Sequence, residues 1–481
     1  MKVEVRQFVD DYLGEIVEGN AAVFAGAGLS VPAGFVDWRE LVRPLADELK
    51  LNIDLEDDLV AVAQFHVNAN GSNRHRLHKA VIEAVSASNP PTRNHELLAK
   101  LPIPTWWTTN YDHLIEDALR AAGKVVDVKS AVPQLADTRP GRHATVFKMH
   151  GDVDRPNEAV ATRDDFERYP KDREAFITAL AGDLVKKTFL FLGFSFTDPN
   201  LSHVLTRVRL TFTDNQRRHY AVFRKRVRLP KETKAEFEHH KLRQALVIED
   251  LKRYNVRVLL IDEYSEITEF LEELVARFRR RTVFVSASAA DYGTWGQPAV
   301  ASFAQELGRR LIASGTRVAS GLGAGIGDAL VAGSLRELMR TKSSIEEGLV
   351  LRPFPQVGSP DERAALWEEY RREIISNVGI AIFLFGTKVD EHGALVIADG
   401  MLREFEIARE QGVAVIPVGA TGGAAKVLAD QALTSPATLI PELGKYGPDA
   451  IRHLAEDAAD LETLLDPLLE LVGKLRKGTA A

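Results

Sequence analysis

Four short segments in the N-terminal half combine residue types that can bind a phosphate and move a proton. Each follows an apolar run, and together they hold Gly26, Ala27, Gly28 and Ser30, then Asn110 with Asp112, then His150 with Gly151, and finally Gly193 with Ser195. Glycines let a backbone approach a diphosphate and present amide groups to it. The amide of Asn110 can donate and accept hydrogen bonds, and the imidazole of His150 is the kind of side chain that proteins use to take up and release a proton. Taken singly, each segment also has a structural interpretation, so a site is indicated only if the fold brings them together.

The elements around these segments predict that they converge. Apolar β-branched and aromatic runs alternate with longer amphipathic segments, which is typical of a mostly parallel sheet with helices between its strands. The predicted strands cover residues 21–25, 105–108, 146–150, 189–193, 220–223 and 256–261. Residues 189–192 are apolar on both faces and predict a central strand. Ligands of open α/β sheets bind at the carboxyl ends of the strands, where all four segments would meet.

A second alternation of strands and helices follows the helical pattern of residues 266–278 and a run of arginines that ends at position 281. Its predicted strands cover residues 283–286, 317–320, 349–352, 380–385 and 413–418. The sequence therefore predicts an α/β protein with two doubly wound Rossmann-like domains, residues 1–281 and 282–481.

Composition narrows the classes of function. The chain has 45% hydrophobic and 27% charged residues, a formal net charge of -7 and no cysteine. This charge gives no field that would attract a polyanion, so we expect no nucleic-acid partner. Because no apolar stretch reaches the roughly 18–20 residues of a membrane span and the N-terminus lacks a signal peptide's apolar core, we expect a cytoplasmic protein without membrane contact. The lack of cysteine excludes disulfides, thiolate nucleophiles and zinc sites made of cysteine.

In this order, the four segments resemble motifs of the sirtuin (Sir2) family. Residues 26–30 resemble its GAG-x-S loop, residues 108–112 its TxN-x-D motif, His150 and Gly151 its catalytic HG motif, and Gly193 with Ser195 its late glycine-serine motif. Residues 34–39, which include Asp37, resemble the loop that covers nicotinamide in that family. The resemblance spans residues 23–200 and implies that the N-terminal domain binds NAD as its substrate.

The resemblance also implies a role for each matched residue. Gly26, Ala27 and Gly28 would hold the diphosphate, Ser195 would lie near the adenosine ribose, and Ser30, Asp37 and Gly193 would complete the NAD-binding set. Asn110 would hold the ribose hydroxyls or the attacking water, because positioning lowers the barrier. His150 would take a proton from that water or from a ribose hydroxyl. Asp112 has two interpretations, since it either orients this network or caps a helix.

One departure from the sirtuins bears on the reaction. Deacylating sirtuins resemble one another in a four-cysteine zinc module, which a chain without cysteine cannot build. We therefore expect no metal and predict an NAD+ glycohydrolase, in which water is the acceptor and nicotinamide and ADP-ribose are the products. Nicotinamide is already a cationic leaving group, so its departure through an oxocarbenium-like ribose needs no acid. The alternatives are a zinc-free NAD-dependent deacylase and a non-catalytic NAD-binding regulator.

The C-terminal half carries a second set of candidate binding residues. Ser286 ends its first strand, and Gly321 and Gly323 belong to a glycine-rich loop after the second, where exposed amides suit a phosphate or ribose. Arginine or lysine near the ends of elements can grip phosphates, and a glutamate can bind ribose hydroxyls. The candidates of this kind are Arg371, Lys388 and Glu404.

This half resembles a SLOG domain, a Rossmann-like relative of the lysine-decarboxylase-like nucleotide hydrolases. Residues 398–404 keep only the glutamate, Glu404, of the PGGxGTxxE motif of those hydrolases, which favours a sensor over a second hydrolase. A sirtuin-like domain followed by a SLOG domain resembles the effectors of bacterial Thoeris anti-phage defence. That resemblance implies a TIR-domain partner that makes a cyclic ADP-ribose isomer, recognition of this signal by the C-terminal domain, depletion of NAD, and a homo-oligomer (tetramer or higher).

Overall fold

The computed structural model describes residues 2–85, 89–196, 198–211, 216–230, 232–355 and 357–478. Contacts divide the chain into two compact units, Met1–Val275 and Ala276–Ala481. The division falls within the helix Ser265–Arg279, a few residues before position 281, where the sequence predicts the boundary.

Within the described residues, the first unit contains a sheet of seven parallel strands in the order β3-β4-β2-β1-β5-β6-β7. The strands are β1 (Ala21–Ala25), β2 (Thr105–Thr108), β3 (Val126–Lys129), β4 (Ala144–Lys148), β5 (Thr188–Leu192), β6 (His219–Arg224) and β7 (Val256–Ile261). The helices are α1 (Val3–Val17), α2 (Ala27–Ser30), α3 (Trp38–Glu48), α4 (Leu59–Ala69), α5 (His75–Val85), α6 (Arg93–Lys100), α7 (Leu114–Ala121), α8 (Arg163–Asp172), α9 (Glu174–Lys186), α10 (Pro199–Thr211), α11 (Lys234–Leu251) and α12 (Ser265–Arg279).

The centre of this sheet is formed by β1 and β5. Every residue of both strands is buried, which confirms the central strand predicted from the apolar run at 189–192. The rings of Phe24 and Phe191 stack with centroids 5.3 Å apart and join the two strands on one face. The hydroxyl of Tyr12 in α1 donates to the carbonyl of Ala22 at 2.7 Å, which fixes the first helix against β1.

In the first unit, the strand predictions are wrong at two places. β3 lies outside the predicted strands because Asp127 and Lys129 interrupt its apolar pattern; the two side chains are buried and pair with each other at 2.9 Å. β4 ends at Lys148, whereas the sequence predicts a strand that continues to His150. The histidine therefore belongs to the loop beyond the strand.

The order of strands reverses at β1. β2 pairs with one edge of β1, and β5 pairs with the other edge. The strands that follow β1 in the chain, β2 to β4, lie on one side of it, and those that follow β5 lie on the other, so the topological switch point of this sheet is at β1 and β5. Open α/β sheets bind their ligands at such a point.

In the described part of the second unit, five parallel strands lie in the order β10-β9-β8-β11-β14, and β12 and β13 form an antiparallel hairpin. The strands are β8 (Thr282–Ser288), β9 (Arg317–Ser320), β10 (Leu349–Leu351), β11 (Ile380–Phe385), β12 (Thr387–Val389), β13 (Leu395–Ile397) and β14 (Ala414–Pro417). The helices are α13 (Gly296–Ala313), α14 (Gly327–Thr341), α15 (Ile345–Gly348), α16 (Pro360–Ser376), α17 (Asp399–Glu410), α18 (Gly423–Thr434), α19 (Pro436–Leu439), α20 (Gly447–His453) and α21 (Leu465–Arg476).

The two sheets confirm the predicted fold class, two doubly wound α/β domains. The hairpin was not among the predicted strands, because its short segments are largely exposed and lack a buried apolar face. Among the described residues, no helix combines the length and the apolar character that a bilayer crossing requires.

Candidate functional sites

A cavity of about 580 Å³ opens in the first unit at the carboxyl ends of its strands. Small-molecule sites have volumes of about 300–1,000 Å³. Residues from all four segments singled out in the sequence line it, namely Ala27, Gly28, Ser30, Asn110, Asp112, His150, Gly193 and Ser195. The sheet therefore brings these segments to one cavity.

Asn110 presents a buried acceptor that nothing in the described chain satisfies. Its side-chain nitrogen donates to the carbonyl of Gly26 at 3.1 Å and to the hydroxyl of Ser30 at 3.0 Å. Its side-chain oxygen is buried and has no hydrogen-bond partner among the described residues. A buried polar atom left in this state costs about 1–3 kcal/mol. The oxygen is thus suited to accept a hydrogen bond from a ligand hydroxyl or a water molecule.

The glycines of the loop after β1 pack directly against Gly193. A Cβ atom on Gly26 would lie 2.4 Å from the carbonyl oxygen of Gly193, and one on Gly193 would lie 2.2 Å from the backbone nitrogen of Leu29. Gly193 also has a positive φ of 64°, which favours glycine. The backbone nitrogen of Gly28 donates to the Gly193 carbonyl at 3.0 Å. That amide is engaged within the protein, although the sequence assigned it to a diphosphate.

His150 lies beside an aspartate in the same cavity. Its Nε2 is 3.1 Å from Oδ2 of Asp198, a separation typical of a hydrogen bond but without the alignment of one. Burial acts to raise the pKa of Asp198, but the nearby imidazole and the backbone amides at the start of α10 outweigh it, so that this pKa is lowered. The carboxylate is therefore charged at neutral pH and available to the imidazole.

Apolar side chains form much of the remaining wall. The rings of Phe166 and His150 are nearly perpendicular, with centroids 5.3 Å apart. Other apolar lining residues are Phe35, Val36, Trp38, Leu41, Leu59, Val60, Ala84, Val85 and Val160. Electrostatic interactions are stronger in such surroundings than in water.

Three further predicted residues have identifiable contacts. The carboxylate of Asp112 accepts a hydrogen bond at 3.0 Å from the backbone nitrogen of Leu114, the first residue of α7, in the turn that precedes this helix. Asp37 is exposed and caps α3 by accepting from the nitrogen of Glu40 at 3.0 Å. Ser195 lies in the loop after β5 and lines the cavity together with Asp37 and Asp112.

A buried lysine connects the loop of Asn110 to the strand that precedes His150. Lys148 is fully buried, and its Nζ donates to the backbone carbonyls of Tyr111 at 3.0 Å and Asp112 at 2.6 Å. The same atom pairs with Asp152 at 2.6 Å and with Glu116 at 3.2 Å. Neither Lys148 nor Asp198 was given a role on the basis of the sequence, although Lys148 lies two residues before His150 and Asp198 three residues after Ser195.

Asp152 also belongs to a group of possible metal ligands with His113 and Asp154. Its Oδ1 lies 2.9 Å from Nε2 of His113, while its Oδ2 already faces the ammonium of Lys148. A cation bound there would meet the positive charge of that lysine, so these side chains form a hydrogen-bonded ion-pair cluster.

The second unit brings Ser286, Glu404 and Arg371 together. The hydroxyl of Ser286 donates to Oε2 of Glu404 at 2.5 Å, and Nε of Arg371 lies 3.5 Å from Oε1 of the same carboxylate. Burial raises the pKa of Glu404, against the opposing effects of Ser286 and Arg371. The guanidinium carbon of Arg371 lies 5.1 Å from the ring centre of Phe354 and 5.8 Å from that of Trp367.

The other three candidates adjoin this cluster. A Cβ on Gly321 would lie 2.8 Å from the Phe354 ring, and one on Gly323 would lie 1.8 Å from the carbonyl oxygen of Ala287. Lys388 pairs with Asp399, which directly precedes Gly400 at the start of α17. A Cβ on Gly400 would approach the guanidinium of Arg371 to 2.7 Å, so the six candidates occupy one region of the unit.

Both halves of the chain match known families. Residues 104–246 match the SIR2-like domain, and residues 266–475 match the Sir2- and TIR-associating SLOG family. A protein of Acinetobacter baumannii (strain 532279) named NAD(+) hydrolase ThsA is 45% identical over 98% of this chain and 98% of its own length. A protein of the same name from Bacillus cereus (strain MSX-D12) is 43% identical over 97% of this chain and 98% of its own. Defense-associated sirtuin 2 of Bacillus subtilis is 25% identical over 53% of this chain and 26% of its own length.

Proposed function

This chain belongs to the ThsA family of NAD(+) hydrolases, and we propose that the cavity beside β1 and β5 is where it cleaves the bond between nicotinamide and ribose. One observation carries this assignment. Asn110, whose side-chain oxygen has no hydrogen-bond partner among the described residues, and His150 both line one cavity of the size of a small-molecule site, at the switch point of the sheet.

The reaction needs few protein groups. As the bond between ribose C1′ and the pyridinium nitrogen breaks, its electron pair returns to the ring and neutralises nicotinamide. Positive charge develops on the ribose, as in other glycoside cleavages. The oxygen of Asn110 accepts a hydrogen bond from a ribose hydroxyl or from the attacking water. His150 takes the proton that this water loses when its oxygen bonds to C1′, and ADP-ribose is the product.

The lack of cysteine supports water as the acceptor, because the zinc module of a deacylating sirtuin cannot be built without cysteine. Incubating the purified chain with NAD, with and without an acetyl-lysine peptide, tests this. Equal amounts of nicotinamide and ADP-ribose in both reactions are expected. Acyl-ADP-ribose that forms only with the peptide would identify a zinc-free deacylase.

We further propose that a cyclic ADP-ribose isomer binds the cluster of Ser286, Arg371 and Glu404 in the second unit and activates hydrolysis. Arg371 carries a buried Nε without a hydrogen-bond partner in the described chain, and its guanidinium suits a phosphate group. The signal activates only if it binds the active arrangement of the protein better than the resting one, because a ligand with equal affinity for both shifts nothing.

We propose from the family that this chain acts in defence against phages. A TIR-domain partner would make the signal during phage infection, and depletion of NAD in the cytoplasm would be the response. The name of the matched family, Sir2- and TIR-associating SLOG, supports such a partner. We also propose a homo-oligomer (tetramer or higher), which sedimentation of the purified chain with and without the signal would test.

A further inference from the structure

The two carboxylate oxygens of Asp198 have different partners. Oδ1 accepts a hydrogen bond from the backbone nitrogen of Leu201 at 2.9 Å and so caps α10. Oδ2 lies 3.1 Å from Nε2 of His150. A helix cap needs only the first of these contacts, so the second requires another explanation.

A second aspartate of the same unit provides a comparison. Asp58 caps α4 through Oδ1, which accepts from the nitrogen of Ala61 at 2.9 Å, and its Oδ2 pairs with Arg163 at 2.6 Å. The side chain of Asp58 is 57% exposed, whereas that of Asp198 is 9% exposed and the imidazole beside it is 8% exposed. Burial of a carboxylate is costly unless a nearby group compensates for it. Capping of α10 does not explain why the carboxylate of Asp198 is buried, whereas an adjacent imidazole that is charged or donates a proton does.

We propose that Asp198 is a positioning residue for His150, whose ring it holds with the proton on Nε2 and with Nδ1 left to accept the proton of the attacking water. The inference rests on the proposed catalytic role of His150. When Nδ1 takes the proton, the imidazole becomes a cation with both nitrogens protonated, and the carboxylate next to Nε2 stabilises it. Aspartates that orient a catalytic imidazole act in this way on unrelated folds.

The two aromatic side chains that pack against the ring do not supply this contact. Phe166 of α8 is apolar, and Tyr169 of the same helix donates its hydroxyl to the carbonyl of Met149 at 2.9 Å. Burial raises the pKa of Tyr169 far above its ordinary value, so this phenol stays neutral at neutral pH. Asp198 is therefore the described side chain that places a negative charge beside His150.

The experiment compares Asp198→Asn with Asp58→Asn in the full chain. Both substitutions keep an oxygen that can cap the helix and remove one negative charge. We expect kcat for nicotinamide release to fall by about 100-fold or more in Asp198→Asn, with KM for NAD changed by less than about threefold, because proton transfer rather than binding is impaired. Asp58→Asn should leave both kcat and KM unchanged.

A rate of nicotinamide release by Asp198→Asn within about threefold of the parent's would overturn the proposal. Equal losses in Asp198→Asn and Asp58→Asn would also overturn it, because they would show a cap effect. A parallel His150→Ala variant separates the two claims: if it keeps full activity, the proposed mechanism itself fails. Should Asp198→Asn not fold, histidine nitrogen NMR of the parent protein gives the answer. A neutral His150 protonated on Nε2 supports the proposal, and one protonated on Nδ1 contradicts it.

Discussion

The ammonium of Lys148 lies 2.6 Å from the backbone carbonyl of Asp112, and this contact joins the strand that leads to His150 to the loop that carries Asn110. Because Lys148 also pairs with Asp152 and Glu116, one buried cation compensates two buried carboxyl groups and two carbonyls. The two proposed catalytic residues are thus connected through the protein interior as well as through their shared cavity.

Replacement of Lys148 by methionine should lower the free energy of unfolding by about 3–5 kcal/mol, because it leaves buried charges uncompensated. Urea unfolding of the full chain measures this. The matched control is Lys252→Met, which removes an exposed partner of Glu249 and should cost less than about 1 kcal/mol. Equal losses in the two variants would contradict the role given to Lys148.

The contact between the two glycine loops predicts a steric effect at Gly193. Gly193→Ala should abolish NAD cleavage, because the new methyl group would meet the backbone of Gly28 and Leu29. Gly123→Ala is the control, since Gly123 has a similar positive φ of 75° but nothing within 4 Å of its added Cβ. Gly123→Ala should lower the free energy of unfolding by about 1–2 kcal/mol, the cost of a left-handed backbone conformation for alanine. Nicotinamide release and a thermal melt are measured for each variant, so that backbone strain, present in both, is distinguished from the steric clash expected only in Gly193→Ala. Normal turnover by Gly193→Ala would contradict the close packing of the two loops.

Burial of His95 predicts a loss of stability in acid. Desolvation lowers the pKa of this imidazole to about 4, against a weaker opposing effect of Asp112. The unfolded chain, with an ordinary pKa of 6.5, takes up the proton first as the pH falls. Stability is therefore complete above pH 6.5 and declines towards pH 4, by about 2 kcal/mol at pH 5. Unfolding at pH 7 and pH 5 should show a smaller decline in His95→Gln than in the parent. An identical decline in both would remove His95 as the cause.

The Arg371 cluster predicts which arginine transmits the signal. Arg371→Ala should lose the stimulation of NAD cleavage by cyclic ADP-ribose isomers, expressed as the ratio of rates with and without the isomer. Arg372→Ala is the matched control, because Arg372 forms exposed pairs with Glu368 and Glu410. It should keep the stimulation. If both variants respond like the parent, the signal binds elsewhere.

Sequence patterns predicted the fold and nine of the residues that line the cavity. The apolar runs of β1 and β5 are long enough to reveal central strands, and the segments at their ends converge because the strands are parallel. Patterns failed where burial depends on a distant partner. Charged residues such as Lys129 and Asp127 are typical of exposed positions, but in β3 they are buried and pair with each other. The partners of Lys148 and Asp198 could not be predicted, because the fold brings Lys148 to Asp152 and Asp198 to His150.

The central claim is that Asn110 and His150 act on one ribose, and nicotinamide release from NAD by the full chain tests it most directly. Asn110→Ala and His150→Ala should each retain the thermal melt and the NAD binding of the parent, yet release nicotinamide at least about 100-fold more slowly. Turnover at the parental rate in both variants would contradict the account.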